Sequence, residues 1–533
     1  MRISLIILTL IFTTFAFQGR AAEMPRFFEE TKSAGIDHTY SGKFEYMVGG
    51  GLATFDCNGD DSPDLYFAGG EGAAKLYQNQ SQKGEKLNFK MVEGSGLNLK
   101  KVTGAYPLDI DGDQVTDLAV LRIGENVLMR GRGNCRFERA NEAWKFDGGD
   151  AWTTAFTATW EKGSDWPTLV FGNFMDPETI VMDYGDCDAH ALHRPGSAGG
   201  YEKPLPLGPG HCSLSMLFSD WNRDGVPDLR ISNDKEFYRG GEEQLFALNP
   251  GANPQSFTRE EGWNKVNIWG MGIASNDITG DGYPDYYLTN MAANRFEVLA
   301  EGATGPSYED RAGDFNIAVA KPFTGGDIDP STAWHTEFAD VNNDGLSDLL
   351  VVKGNVVTTS ANAKADPNNL LIQTADGGFV EAAKVAGVLS FRVGRGGALV
   401  DLNADGALDL VVSNRNDSSE IWRNTAANTG NWLKLQLKQP GGNTRAVGAW
   451  VEVRTGNHTQ RREVTVGGGH AGGQWGALHF GLGDAKQARI RVQWPFGGWS
   501  DWHDVTANTI TSITRKNPKT MASRSRGAKG ERP

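Results

Sequence analysis

Several things are scarce in this chain. It has 4 cysteines in 533 residues and no C-x-x-C pair, which leaves little basis for structural zinc or thioredoxin-like redox chemistry. Beyond the first 22 residues, no apolar run nears the ~18 residues that suggest a membrane helix. Long amphipathic helical patterns are absent, so a helical bundle is excluded. There is no basic surplus: 52 Lys+Arg stand against 66 Asp+Glu, a net charge of −14. That balance argues against nucleic acid as a partner, because binding phosphates needs a basic surface. No G-x-S-x-G nucleophile motif occurs. Apolar content of 39% still excludes a wholly disordered chain.

What is abundant is glycine, 68 residues, and aspartate in a fixed frame. The first segment is separate from that frame. Residues 1–22 combine Arg2, an apolar run from Ile3 to Phe17, and small residues Gly19, Ala21 and Ala22. This is a cleavable signal peptide, and it predicts a secreted or periplasmic protein. Export permits disulfides. Cys57, Cys135, Cys187 and Cys212 allow three pairings, and the short 187–212 loop favours that pair.

One pattern, D-x-[DN]-x-D-G-x-x-D-[LY], then recurs along the chain. Its positions 1, 3, 5 and 9 are Asp56, Asn58, Asp60 and Asp64 in the first copy, and Asp109, Asp111, Asp113 and Asp117 in the second. They are Asp220, Asn222, Asp224 and Asp228 in the next, then Asp277, Thr279, Asp281 and Asp285. The last two copies give Asp340, Asn342, Asp344 and Asp348, and Asp401, Asn403, Asp405 and Asp409. The gap from 109 to 220 spans two periods. A decayed copy fills it at Trp160–Leu169, which keeps the frame and has lost the acids. Six intact copies and one decayed copy make seven repeats.

Each copy sits between β-rich segments, and two further strands follow it. Four short strands per period of some 50 to 60 residues fit a β-propeller blade. The expected fold is therefore all-β: a seven-bladed propeller over 27–430, followed by a small β-sandwich over 431–515. The last repeat lacks an aromatic-led fourth strand. Phe27–Gly35 resembles Phe379–Gly387, so the N-terminal strand is expected to complete blade seven.

The loop chemistry suits a hard cation. Calcium takes six to eight oxygens in a flexible shell, and alternate residues of a tight loop can aim side chains at one point. An EF-hand is excluded, because position 12 carries no Glu and the flanks are strands. The bland alternative is a set of Asx turns. Six copies at fixed offsets favour calcium, up to six ions, mainly as fasteners of each hairpin. These positions hold 19 of the 66 acids. Asp61 and Gln114 replace glycine at position 6 in two copies.

Residues 431–515 alternate apolar and polar positions, as a small sandwich requires. Within them Gly467–Trp475 is glycine-rich but is not a phosphate loop. His470, Gln474 and Trp475, with Trp499 and Trp502, form a candidate ligand surface for carbohydrate or peptide. Ordinary β-core aromatics beside a turn are the alternative. Residues 516–533 read as a disordered basic tail. His190, His193, His211 and His335 fall into no metal or triad spacing, and His190 and His193 read as surface histidines.

The loops quoted above resemble FG-GAP/VCBS repeats of integrin-α-type propellers. Val48–Asp56, Trp269–Ile273 and Tyr287–Asn290 look like the cartilage acidic protein family. Asn431–Leu433, Thr444–Ala449, Leu478–Gly483 and Val492–Gly497 look like the ASPIC/UnbV domain that ends that family. The resemblance implies a secreted calcium-binding propeller with an appended β domain. The expected role is a scaffold that binds extracytoplasmic protein or glycan. An enzyme of the sugar lyase or dehydratase kind is the alternative, and no catalytic residue is assigned.

Overall fold

The computed structural model describes residues 24–180, 185–197, 199–234, 241–319, 330–356, 366–427 and 429–516. The signal peptide at 1–22 and the basic tail beyond Lys516 lie outside the described residues.

Every copy of the repeat is a hairpin between two antiparallel strands. In blade one, Leu52–Phe55 enters the loop and Asp64–Phe67 leaves it, with Phe55 opposite Asp64. Lys75–Asn79 and Phe89–Met91 add the third and fourth strands. The same order recurs from Lys100–Leu108, Ala151–Thr159, Ser213–Ser219, Ile273–Asn276, Ala333–Ala339 and Gly394–Val400. First strands of successive blades touch one another all the way round, the seventh against the first. A ring of this kind leaves its inner wall to the first strands and removes open sheet edges.

The N-terminal strand closes the ring as expected. Phe27–Glu29 pairs antiparallel with Glu420–Asn424, Phe27 opposite Asn424, and supplies the fourth strand of blade seven. Gly35 and Gly387 follow equivalent strands with φ of +85° and +87°. A Cβ on Gly35 would lie 2.7 Å from the Phe89 carbonyl oxygen, and one on Gly387 2.9 Å from that of Phe27. Glycine is needed there because each turn rests on the next blade.

One expectation fails in blade three. His190 and His193 are buried, each 1% exposed, not on the surface. They lie in His190–His193, the third strand of the blade, paired with Thr168–Asn173. The His193 ring packs against Phe146, Phe171 and Tyr201.

Disulfides join Cys57 to Cys135 and Cys187 to Cys212. The first ties the loop of blade one to blade two. The second ties the segment preceding His190 to the start of blade four.

The C-terminal region packs two sheets face to face. Asn431–Lys438 lies between Leu478–Gly483 and Thr509–Thr514. Trp450–Thr455 lies between His458–Glu463 and Gln487–Gln493, with His503–Thr506 at the edge. Alternation turns Leu433, Leu435 and Leu437 inward against Val451, Val453, Ile490 and Val492. Among the described residues no helix is long and apolar enough to cross a membrane.

Candidate metal loops and the plugged channel

The hairpins share one hydrogen-bond scheme. The position-1 carboxylate accepts the N–H of position 6 in all six acidic loops, at 2.7 to 3.2 Å. The position-5 carboxylate accepts the N–H of position 7, at 2.8 to 2.9 Å. Position 6 has positive φ throughout, including Asp61 at 62° and Gln114 at 69° where glycine is missing. Positive φ recurs at position 4, where those two loops have Gly59 and Gly112 while Arg223, Asn343 and Ala404 stand in three of the others. Each of these five loops thus has one non-glycine residue in the left-handed region.

Position 9 is the one whose carboxylate reaches beyond its own loop in most blades. It is buried, and its carboxylate ties the loop to the blade. Asp64 accepts from Cys57 N and Asn79 N, at 2.7 and 2.8 Å. Asp117, Asp348 and Asp409 repeat that pair of bonds, to position 2 and to the third strand. In blade four the Trp221 indole N–H takes the place of the position-2 amide on Asp228. Asp285 accepts from Ile278 N and Thr279 N.

The donor set fits a hard cation. Oxygens of Asp109, Asp111 and Asp113 all lie within 4.8 Å of one another, and this cluster could hold a metal ion. Asn58 Oδ1, Asp220 Oδ1 and Asp277 Oδ1 are buried without a hydrogen-bond partner. Burial pushes Asp64 up to about 7 and Asp117 up to about 8, with neighbouring carboxylates adding to the shift. A cation bound there would supply the missing positive charge. A second acidic cluster, Cys57, Asp64 and Cys135, offers no thiolate, because both cysteines are in the disulfide.

The loop of blade three solves the problem without acids around a point. Thr168 stands at position 9, and its hydroxyl donates to Glu161 at 2.8 Å. Arg194 neutralises Glu161 at 2.6 Å. Three acidic loops also have a protein cation at hand. Arg130 meets Asp111 and Asp113, Arg461 meets Asp277, and Lys434 meets Asp401 at 2.5 Å.

All seven hairpins face one end of the ring, because each joins the first strand of its blade to the second. The C-terminal sandwich sits on that end and touches every one. Gln436 reaches Asp61 (3.1 Å), Thr444 Asp109 (2.6 Å) and Gly442 N Asp165 (3.3 Å). Glu463 accepts from Ser219 and from Asp220 N, at 2.7 and 3.0 Å. Arg461, His458 and Lys434 meet the fifth, sixth and seventh hairpins.

The glycine-rich segment enters the ring. Gln474 and Trp475 pair in parallel with Thr54 and Phe55. Gly472, Val466, Gly467 and Gly469 bridge to the first strands of blades two, three, four and five. A Cβ on Gly472 would lie 2.1 Å from the Leu52 carbonyl oxygen, so only glycine fits there. His470 is 0% exposed. Its Nδ1 faces the Met271 carbonyl at 3.0 Å, its Nε2 accepts from Gly49 N, and its own N–H donates to His335 Nδ1. Burial holds the His470 ring neutral, with its pKa lowered to about 3.

The candidate ligand surface is therefore divided. His470 and Trp475 are buried in a channel plug and present no surface, while half-buried Gln474 bonds to Glu337 and Thr54. The physical reason is that a glycine-rich strand can run against the inner strands where side chains would clash. Trp499 and Trp502 lie on the outside of the sandwich, beneath guanidinium groups. Arg491 stands 4.3 Å from the Trp499 ring and 4.7 Å from the Trp502 ring.

Sequence reasoning missed the cations of the C-terminal domain, Lys434, Arg445, Arg461 and Arg462. The signal available was Arg461-Arg462-Glu463, charged on both faces of one strand. A sandwich strand needs one apolar face, so this one has polar company on both sides.

Residues 439–520 match the family model described as ASPIC and UnbV. No curated protein matches the chain. Among solved structures, BBS1N in complex with ARL6DN is 9% identical, covering 77% of this chain and 99% of that one, with a TM-score of 0.43. A lectin of Agrocybe aegerita that recognises non-reducing terminal N-acetylglucosamine is 14% identical, covering 71% and 94%, with a TM-score of 0.38. The extracellular domain of the putative hybrid two component system BT4673 of B. thetaiotaomicron is 8% identical, covering 93% and 60%, with a TM-score of 0.39. The C-terminal domain of this chain is thus similar to the ASPIC and UnbV family, on a seven-bladed ring.

Proposed function

We propose that this is an exported, calcium-binding propeller scaffold of the cartilage acidic protein kind, which binds an extracytoplasmic protein or glycan. The observation that carries the reading is the shared place of the acidic hairpins. Six oxygen-rich loops lie at one end of the ring, and the C-terminal sandwich rests on all of them. Asp56, Asn58 and Asp60, and the equivalent positions of the other five loops, would hold the ions. Their chemistry would be charge neutralisation, bracing both the hairpins and the domain contact. The two disulfides support an extracytoplasmic site of action.

The test has two arms. Ion content of the purified protein is measured by mass spectrometry after dialysis against calcium. A glycan array and a pull-down from periplasmic extract are then run with and without EGTA. Calcium retention with chelator-sensitive capture supports the reading. Absence of bound calcium defeats it, and turnover of a polysaccharide would replace scaffold by enzyme.

A further inference from the structure

Between the sandwich and the ring lies a cleft of about 320 Å³. Its floor is the plug, at Gly467–Gly469 and Gly472, and its rim includes exposed Asp61 and Ile510. That volume is at the small end of ligand pockets. The polar groups on its walls are unevenly satisfied.

The acids are already served. Glu337 accepts from Gln474 Nε2 at 2.6 Å and from Leu399 N at 3.0 Å. Glu463 accepts from Ser219 and Asp220 N, and Asp401 from Lys434 and Gly406 N. The donors are not. Among the described residues, the guanidinium groups of Arg445 and Arg462 have no hydrogen bond and no ion pair. Each leans on a ring, Arg445 on Trp475 at 5.3 Å and Arg462 on Phe480 at 5.4 Å. His335, 5% exposed, is a third case. Its Nδ1 accepts the His470 N–H, so a neutral ring carries its proton on Nε2. That Nε2 has no partner, and the nearest carboxylate oxygen, on Glu337, is 3.8 Å away.

One unspent group on the walls is an acceptor, His479 Nδ1, whose ring donates through Nε2 to Asn343 Oδ1. The three unspent donors lack an acceptor of their own. Guanidinium forks match carboxylates in geometry and charge, and the buried Nε2 of His335 is costly to leave unpaired. We propose that this cleft binds a small organic carboxylate the size of one acidic sugar, held by Arg445 and Arg462 with His335 donating to the same ligand. The site belongs to neither domain alone.

Isothermal titration of the full chain with D-galacturonate tests it, with D-galactose as the uncharged counterpart and inorganic phosphate as a plain anion. The expected result is saturable binding of galacturonate, none of galactose, and phosphate weaker by tenfold or more. Arg462→Gln and Arg445→Gln should each weaken binding at least tenfold while the melting curve stays cooperative. Arg462→Lys should restore only part, because an ammonium keeps charge and loses the fork. Silence toward galacturonate, equal binding of galactose, phosphate as tight as galacturonate, or binding untouched in folded variants at both arginines would each overturn the proposal. If one variant unfolds, the other and His335→Gln decide it.

Discussion

Blades three and six have the same strand order and opposite electrostatics. In blade six, Asp348 at position 9 accepts the N–H of Val341 at position 2. In blade three, Thr168 at position 9 donates to Glu161 at position 2. The link between these positions is kept while its polarity is reversed. Blade three balances its acid with Arg194. Blade six gathers Asp340, Asp344 and Asp348, and among the described residues no Lys or Arg pairs with them. All seven hairpins link positions 2 and 9, whereas six of them gather acids at positions 1, 5 and 9. The acids are an added feature of blade six, and a bound cation or a retained proton would balance them.

Chelation tests this difference most strongly. A ligand at a hundred times its Kd stabilises by about 2.7 kcal/mol per site. EGTA should lower the melting temperature by ~5 °C or more. An unchanged melting curve would mean that blade six tolerates its acids unaided, and the contrast with blade three would collapse.

Removing the keystone comes next. Asp348→Ala leaves the N–H groups of Val341 and Gln373 buried without acceptors, and should cost ~3 kcal/mol in urea unfolding. In blade three, Arg194→Met strands Glu161 and should cost about 2 kcal/mol, by the same amount with or without calcium. Calcium dependence of that loss would show that the third hairpin also depends on an ion.

Acid separates the blades in another way. Burial lowers His193 from 6.5 to about 4. A group whose pKa falls on folding adds stability above its unfolded value, and that stability is lost as pH drops through the window from 6.5 to about 4. His193→Phe, among rings of similar size, should remove ~1–2 kcal/mol of the stability difference between pH 7 and pH 5. An unaltered acid limb would show that His193 charges at no cost. Thr168→Ala should have the smallest effect, about 1 kcal/mol.

The ring was legible because its information is local. Position-6 glycines, paired acids and short β-rich runs are properties of ten consecutive residues. Phe27–Gly35 could be assigned to blade seven because it repeats Phe379–Gly387. The third strand of blade three was hidden by its four-residue length, His190–His193, which carries no period. Counting would have found it, since a blade must place a strand between Asn173 and Leu205. The plug was not legible at all. Gly467–Trp475 reads as a flexible turn, and what makes it a strand-like filler is the wall of other blades around it. The free donors of the cleft were invisible for a similar reason, since Arg445 and Arg462 acquire their setting only when two domains meet.

Two segments far apart in sequence finish the same ring. Phe27–Glu29 is synthesised early and waits for Glu420–Asn424, while Val464–Gly476 is made after every blade and fills the ring. Early blades thus cannot be sealed while the chain is still emerging. Completion requires contacts about four hundred residues apart in sequence, between Phe27 and Asn424 or Thr54 and Gln474, and such distant pairing is slow. The ring must therefore stay open until the segment around residues 464–476 has been made, and its stability arrives in one late step rather than blade by blade.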